Sequence, residues 1–245
     1  MTRNIFDQVA PDYEKIHNQS LPPGVRSESF IIQRAACATE WILSRISYGE
    51  FSYLDFGCGN GRMLKCLLES SVLRPFLDTG RLHLFGFDTS ADSLNEARTL
   101  LNDESVILAE NWCEFPQGLC FDLVVSCHVF HHIPPKERPK TAAALYRRMK
   151  PGSRLVIFEQ NPLNPATRLL VKACPFDRDA RLLTATETRN LFLKNSFRFL
   201  DQAYINLLPP QWVKNDCLAA IEKKLLSFPI GAQYWIMFQR GRHIG

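Results

Sequence analysis

Several protein classes are excluded by what this chain does not contain. Its eight cysteines (Cys37, Cys58, Cys66, Cys113, Cys120, Cys127, Cys174 and Cys217) never form a Cys-x-x-Cys pair, which tells against a zinc ribbon or a thioredoxin-type motif. No run of 18 apolar residues occurs, and the opening "MTRNIFDQVAPDYEK" has no apolar signal core, so neither a membrane span nor a secretory leader is expected. There is no block of five basic residues, and 29 Lys and Arg against 25 Asp and Glu leave a net charge of only +4. That is too weak and scattered for a nucleic-acid groove. Repeats and low-complexity tracts are missing as well. These absences describe a reduced, cytoplasmic protein, monomer or homodimer, with structural thiols and a small or neutral partner.

What is present is an ordinary globular balance, 46% apolar and 22% charged over 245 residues, enough to bury a sizeable core. Residues 1–50 read as amphipathic helix, with Ile31, Ile32, Ala35, Ala36, Trp41, Ile42 and Ile46 apolar and the "LPPGV" turn dividing them. A regular alternation then begins. Strands are expected at 51–56, 82–88, 105–110, 121–130 and 153–160, the last opened by a Pro151-Gly152 turn. Helices are expected at 61–71, 90–101 and 135–149. Strands alternating with helices mean a parallel sheet covered on both faces. After residue 160, "NPLNPATRLLVKACPFDRDARLL" is too long for a plain connection and reads as a lid or insert over 161–183. Thr184-x-x-Glu187 opens a helix through a capping box. Strands at 197–208 and 232–240 flank a helix over 213–226.

Within "YLDFGCGNGRML", Gly57, Gly59 and Gly61 stand between an apolar strand and an apolar helix, where backbone approaches a ligand closely. The spacing is GxGxG, with Arg62 where the third glycine of the dinucleotide pattern GxGxxG belongs. Lys65 is followed by Cys66, so a Walker A loop fails too. Asp88 ends the next strand, where a carboxylate either accepts ribose hydroxyls or caps the following helix. Asp55 sits beside the glycines. It repels a pyrophosphate and suits a ligand carrying an ammonium and a sulfonium, which favours S-adenosylmethionine over NAD.

"DFGCGNG", "LFGFDTS", "FDLVVSCHVFHHIP" and "MKPGSRLVIFE" resemble successive motifs of the class I S-adenosylmethionine-dependent methyltransferases, in particular the small-molecule type similar to ubiquinone- and menaquinone-biosynthesis enzymes. The resemblance is closest over residues 51–160. It implies a Rossmann-like α/β fold: a seven-stranded, mostly parallel sheet with helices on both faces and a terminal antiparallel hairpin. It implies one domain, divided into a helical cap (1–50), a cofactor core (51–160), the insert (161–183) and a C-terminal helix and hairpin (184–245). S-adenosyl-L-methionine is the implied cofactor and S-adenosyl-L-homocysteine its product. Carried over by position, Gly57, Cys58 and Gly59 line the cofactor, Asp55 takes its amino group, and Asp88 with Thr89 takes the ribose. Ser126 closes the fourth strand beside it. The family usually has an acidic residue at the adenine; here Asn111 and Trp112 stand there, offering an amide and a stacking surface. Phe6 and Tyr13 resemble the aromatic cap of this subgroup, with core packing as the alternative.

Methyl transfer asks the protein to desolvate, to align the acceptor and sometimes to take a proton. Histidine suits the last task. His128, His132 and Glu159, at the ends of the fourth and fifth strands, are the candidate catalytic groups, with a packing or hydrogen-bonding role open for either of His131 and His132. Arg168, Arg178 and Arg181, with Asn161 and Asn164, suit a polar lid over an acidic or hydroxylated acceptor. No second ligand pair at zinc-like spacing accompanies Cys127, His128, His131 and His132, so no metal is expected. The expected reaction is methylation of a small molecule at oxygen. A non-catalytic cofactor-binding protein and an NAD(P)-dependent oxidoreductase are the rivals, the latter opposed by the GxGxG spacing and Asp55. "SCHVFHHIPP" lacks the Asn/Asp-Pro-Pro-aromatic motif of amino-group DNA methylation.

Overall fold

A computed structural model describes residues 13–46, 49–177, 179–213 and 216–241. Seven strands form one sheet: β1 (Phe51–Phe56), β2 (Leu82–Phe87), β3 (Ile107–Ala109), β4 (Phe121–Cys127), β5 (Met149–Gln160), β6 (Phe197–Ile205) and β7 (Gln233–Arg240). Their order is β3-β2-β1-β4-β5-β7-β6. The pairs β2–β3, β1–β2, β1–β4 and β4–β5 are parallel, whereas β7 runs antiparallel to both β5 and β6. The expected Rossmann-like sheet with its antiparallel end is therefore observed.

Every residue of β1 is buried, because a parallel strand covered on both faces has no solvent side. Alternation still sorts its side chains. Tyr53 joins Leu123, Val125, Val156 and Phe158 on one face. Helix α1 (Tyr13–Ser20) lies against α2 (Ser27–Leu43). The strand residues meet α2 and α3 (Arg62–Leu68), whose contacts run through Ala35, Ala38, Ile42, Leu64 and Leu67. Leu54 and Phe56 join Phe85, Val124, Leu155 and Ile157 on the other. Helices α4 (Arg74–Asp78), α5 (Ala91–Leu101), α6 (Arg138–Arg147), α7 (Pro165–Ala173), α8 (Ala185–Leu193) and α9 (Asp216–Leu225) complete the chain. On α2, Ile32 and Ala36 face solvent rather than the core. The helical face is set by Ala35, Ala38 and Ile42, spaced three and four apart.

Several boundaries differ from the sequence reading for local reasons. The fourth strand stops at Cys127 rather than residue 130, because His128 turns into the left-handed region at φ 58°. The sixth stops at Ile205, before Asn206 at φ 60°. Pro151-Gly152 does not open the fifth strand but sits inside it, absorbed by a register shift against Phe121–Leu123. The third strand has three residues, and the helix expected over 61–71 ends at Leu68. The helices expected over 135–149 and 213–226 are shorter, at Arg138–Arg147 and Asp216–Leu225. The capping box forms as read: Thr184 Oγ1 accepts from Glu187 N, and the Glu187 carboxylate accepts from Thr184 N.

Gly57 is fixed by both conformation and space. Its φ is +79°, and a Cβ there would lie 2.2 Å from Val129 Cγ2. Left-handed backbone costs a non-glycine residue about 1–2 kcal/mol, and overpacking adds about 1–3 kcal/mol. Gly57→Ala is expected to lower stability by the sum, about 2–5 kcal/mol. Val129→Ala in the same chain should restore the steric part. Denaturation midpoints of the single and double variants check this, and additive losses would contradict it.

Candidate functional site

The strand order reverses between β1 and β4, and in open α/β sheets ligands bind beyond the carboxyl ends of the strands at such a point. The turn after β1 is pinned to the end of β2: Gly57 N and Cys58 N both donate to Phe87 O, at 2.7 and 3.0 Å. Gly59 N donates to Asp88 Oδ2 at 2.8 Å. Gly59 has φ +52° and open space where a Cβ would stand. Gly61 instead meets Ala97 of α5 at 3.0 Å. Of the three glycines, then, Gly57 and Gly61 serve packing, and Gly59 presents open backbone. Cys58 is buried against Gly86, and burial drives its thiol well above the ordinary range. It acts as a small side chain.

Asp55 is 2% exposed, and its carboxylate makes no hydrogen bond to any described residue. Burial, with the neighbouring charge of Asp88, pushes it up to about 7, while Arg34 pulls the other way. A carboxylate left this way calls for a cationic or donor partner. Tyr53 Oη lies two residues back on the same face, buried and without a partner among the described residues.

Asp88 braces the turn: besides Gly59 N, its Oδ1 accepts from Ser90 N at 2.9 Å. The helix cap is Ser90, whose Oγ accepts from Ser93 N. The capping alternative for Asp88 is thereby corrected. Thr89 is exposed. Ser126 is fully buried, and its Oγ has no hydrogen-bond partner among the described residues. It pairs in register with Phe56, however, and so faces away from Asp55; the two side chains do not converge.

Asn111 is a cap. The Glu114 carboxylate accepts from Asn111 N at 3.1 Å and from its side-chain Nδ2 at 3.0 Å, and Glu114 N donates to Asn111 O. Trp112 stacks on Phe87 at 4.3 Å between ring centroids, with the Arg148 guanidinium over its ring at 5.5 Å. Both residues thus serve local structure at the edge of β3. Tyr13 opens α1, but its side chain and Phe6 lie outside the described residues.

Across the crevice, Arg34 Nη2 approaches His128 Nε2 at 2.6 Å and donates to Gln233 Oε1 at 3.0 Å. Arginine has no acceptor, so Nε2 of His128 accepts, and the ring carries its proton on Nδ1. In that pairing Nε2 is not available as a base. The signal for Arg34 was in the sequence: it is a charge among the apolar positions Ile31, Ala35 and Ala38 of one helix.

Glu159 is 1% exposed. Its Oε1 accepts from Phe130 N at 2.7 Å, and its Oε2 meets His131 Nδ1 at 2.5 Å. His131, also buried, has Asp177 Oδ1 at 3.5 Å from its Nε2. Burial alone would lower its affinity for a proton, but Glu159 and Asp177 outweigh this and push it up to about 9. Burial and the His131 charge hold His132 down to about 4. Both oxygens of Glu159 are therefore engaged inside the protein, and His132 is neutral. His131 is packed and hydrogen-bonded through its ring to Glu159. Asp177 was not legible as a partner, because the contact joins residues 46 apart through the insert.

The polar residues of the insert also turn inward. Asn161 donates to Pro229 O and Gly231 O, and Asn164 caps α7 while donating to Ile230 O. Arg168 and Arg181 are exposed, with Arg181 held through its backbone to His131 O and Arg138. Arg178 lies outside the described residues.

Comparison with known proteins agrees with this architecture. Residues 54–157 match the family described as a methyltransferase domain. An uncharacterized methyltransferase of Geobacillus sp. (strain WCH70) is 28% identical over 107 residues, 43% of this chain. The match spans 46% of that relative's length. The magnesium protoporphyrin IX methyltransferase of Synechocystis PCC 6803, solved with S-adenosylhomocysteine, superimposes with a TM-score of 0.62 at 14% identity over 98% of this chain and 97% of its own. A chain of the complex between the Haloferax volcanii Trm112 methyltransferase activator and a putative methyltransferase gives the same TM-score, with 16% identity over 99% of this chain and 100% of that one. The fold is that of these methyltransferases.

Proposed function

We propose that the chain is an S-adenosylmethionine-dependent methyltransferase acting on a small-molecule acceptor at oxygen. One observation carries the reading. A buried carboxylate, Asp55, stands without a hydrogen bond to any described residue beside a glycine turn whose Gly59 is open. A ligand bearing an ammonium and a sulfonium fits that charge, and a pyrophosphate does not. The methyltransferase-domain match over the same residues supports it. When bound, the cofactor supplies a methyl group already activated by its sulfonium.

The chain's own residues do the rest. Asp55 receives the amino group, and Asp88 accepts from ribose hydroxyls while bracing Gly59. The polar pair Arg34 and His128 faces the acceptor. Because Arg34 occupies Nε2, His128 orients an acceptor rather than removing its proton.

S-adenosylhomocysteine at a hundred times its Kd is expected to stabilise the protein by about 2.7 kcal/mol, whereas NAD leaves the melting temperature unchanged. The reverse pattern would falsify the proposal. Asp88→Ala should weaken binding of the same ligand by about 1.5–3 kcal/mol, the range for hydrogen bonds to a charged group. Calorimetry on the folded variant checks this, and unchanged affinity would remove Asp88 from the ribose.

A further inference from the structure

We propose that His131, His132 and Asp177 form a binding site for one divalent metal ion of the zinc type, with Glu159 as its outer support. Nε2 of both imidazoles faces the same carboxylate oxygen, Asp177 Oδ1, at 3.5 Å from His131 and 3.4 Å from His132. The three donor atoms lie within 4.8 Å of one another. The 3.5 Å separation is long for a charge-assisted hydrogen bond from the His131 imidazolium, which closes to about 2.7–2.9 Å. Both separations fit the edge of a tetrahedron. Zinc bonds of about 2.0–2.1 Å to nitrogen and oxygen place neighbouring ligands about 3.3–3.4 Å apart.

The outer contacts match as well. A histidine that binds a metal through one nitrogen usually donates its other N–H to a carboxylate, which fixes the tautomer. His131 Nδ1 does so to Glu159 at 2.5 Å, which aims Nε2 at Asp177. Glu159 is itself held by Phe130 N. Charge points the same way: two carboxylates, with side chains 1% and 9% exposed, converge on neighbouring imidazoles, and a dication neutralises both. On binding, the ion replaces the proton that His131 otherwise holds on Nε2, and that proton leaves to solvent. Two imidazoles and a carboxylate suit zinc, and also cobalt as its reporter. The fourth position of a three-ligand site is left for water or another ligand. A second grouping, His128 with His131 and Glu159, is a poorer site because the Glu159 carboxylate and His131 Nδ1 already bind each other.

Such an ion would join the turn after β4 to the insert after β5, two segments that are otherwise linked by Arg181 N to His131 O and by Arg138 to Arg181 O. The site is read from these residues alone and is independent of the methyl-transfer proposal.

The test begins with full-length protein stripped by a chelator and kept reduced. Titration with Zn2+ is expected to show uptake of one equivalent. Co2+ should give the visible bands of tetrahedral nitrogen and oxygen ligation without the ultraviolet thiolate band. That spectrum needs no variant and separates this site from the cysteines. His132→Gln and Asp177→Asn, each confirmed folded by circular dichroism, should weaken Zn2+ binding more than the ten- to hundredfold expected for the supporting change Glu159→Gln. Cys113→Ser, at an exposed thiol, should bind as the unaltered protein does. No uptake at stoichiometric Zn2+, a thiolate spectrum with Co2+, or unchanged affinity in the folded variants would each overturn the assignment.

Discussion

Asp55→Asn is expected to make the ligand-free protein more stable and its cofactor complex much weaker. The carboxylate is 2% exposed, and burial together with Asp88 raises it from 3.8 to about 7. Between those two values the folded protein holds a proton that the unfolded chain has released. Stability therefore falls as pH rises through that window and stays low above it. At 1.36 kcal/mol for each pH unit the cost approaches about 4 kcal/mol by pH 8, and a neutral amide removes its electrostatic origin. Part of the gain is offset because the buried amide must find its own partners. Cofactor binding responds in the opposite sense. An ammonium needs the ionised carboxylate, so affinity for S-adenosylhomocysteine should fall as pH drops below 7, by up to about tenfold per unit, as protons compete. In the variant the affinity should be low and flat across that range. Denaturation at pH 5 and pH 8, with calorimetry at pH 6 and pH 7.5, gives both readouts. A variant less stable than the parent at pH 8 with unaltered ligand affinity would place Asp55 in the scaffold alone.

The sheet was legible because its signals are local. Alternation of strand and helix, the GxGxG turn and the Thr184–Glu187 capping box depend on residues within a few positions of one another, and the structure has each of them. Errors arose where a neighbour distant in sequence decided the outcome. Pro151-Gly152 reads as a turn in isolation, but pairing with β4 carries the strand through it. At the far side of the crevice, the partners of the candidate residues were hidden. His128 is set by Arg34, 94 residues earlier, and Glu159 by His131 and Phe130. No periodicity encodes contacts of that kind. The insert was misread for a related reason: Asn161 and Asn164 look available for a ligand, yet the carbonyls before β7 need donors and take them.

Glu159→Ala is expected to be among the most destabilising single changes in the chain. It removes the anion from a buried imidazolium and leaves Phe130 N without its acceptor. Removing one partner of a buried ion pair costs about 3–5 kcal/mol, because the remaining charge is stranded away from water. In a domain of this size each kcal/mol lowers the melting temperature by about 2–4 °C, so a fall of about 6–20 °C should be seen. Glu159→Gln separates the two contributions. Its amide oxygen still accepts from Phe130 N, but it lacks the charge that faces His131, and its loss should be smaller. The consequence extends to the crevice, because Phe130 and His131 belong to the turn that begins at His128, and His128 N donates to Phe158 O one residue before Glu159. If the cofactor sits against Asp55 and Asp88 as proposed, loosening that turn should lower the affinity for a polar acceptor without changing that for S-adenosylhomocysteine. Melting curves of the two variants, with ligand titrations on the milder one, provide the check. A loss under about 1 kcal/mol for Glu159→Ala would mean that the buried pair is replaceable, and that the turn after β4 is held by packing of Phe130 against Phe56 and Phe192.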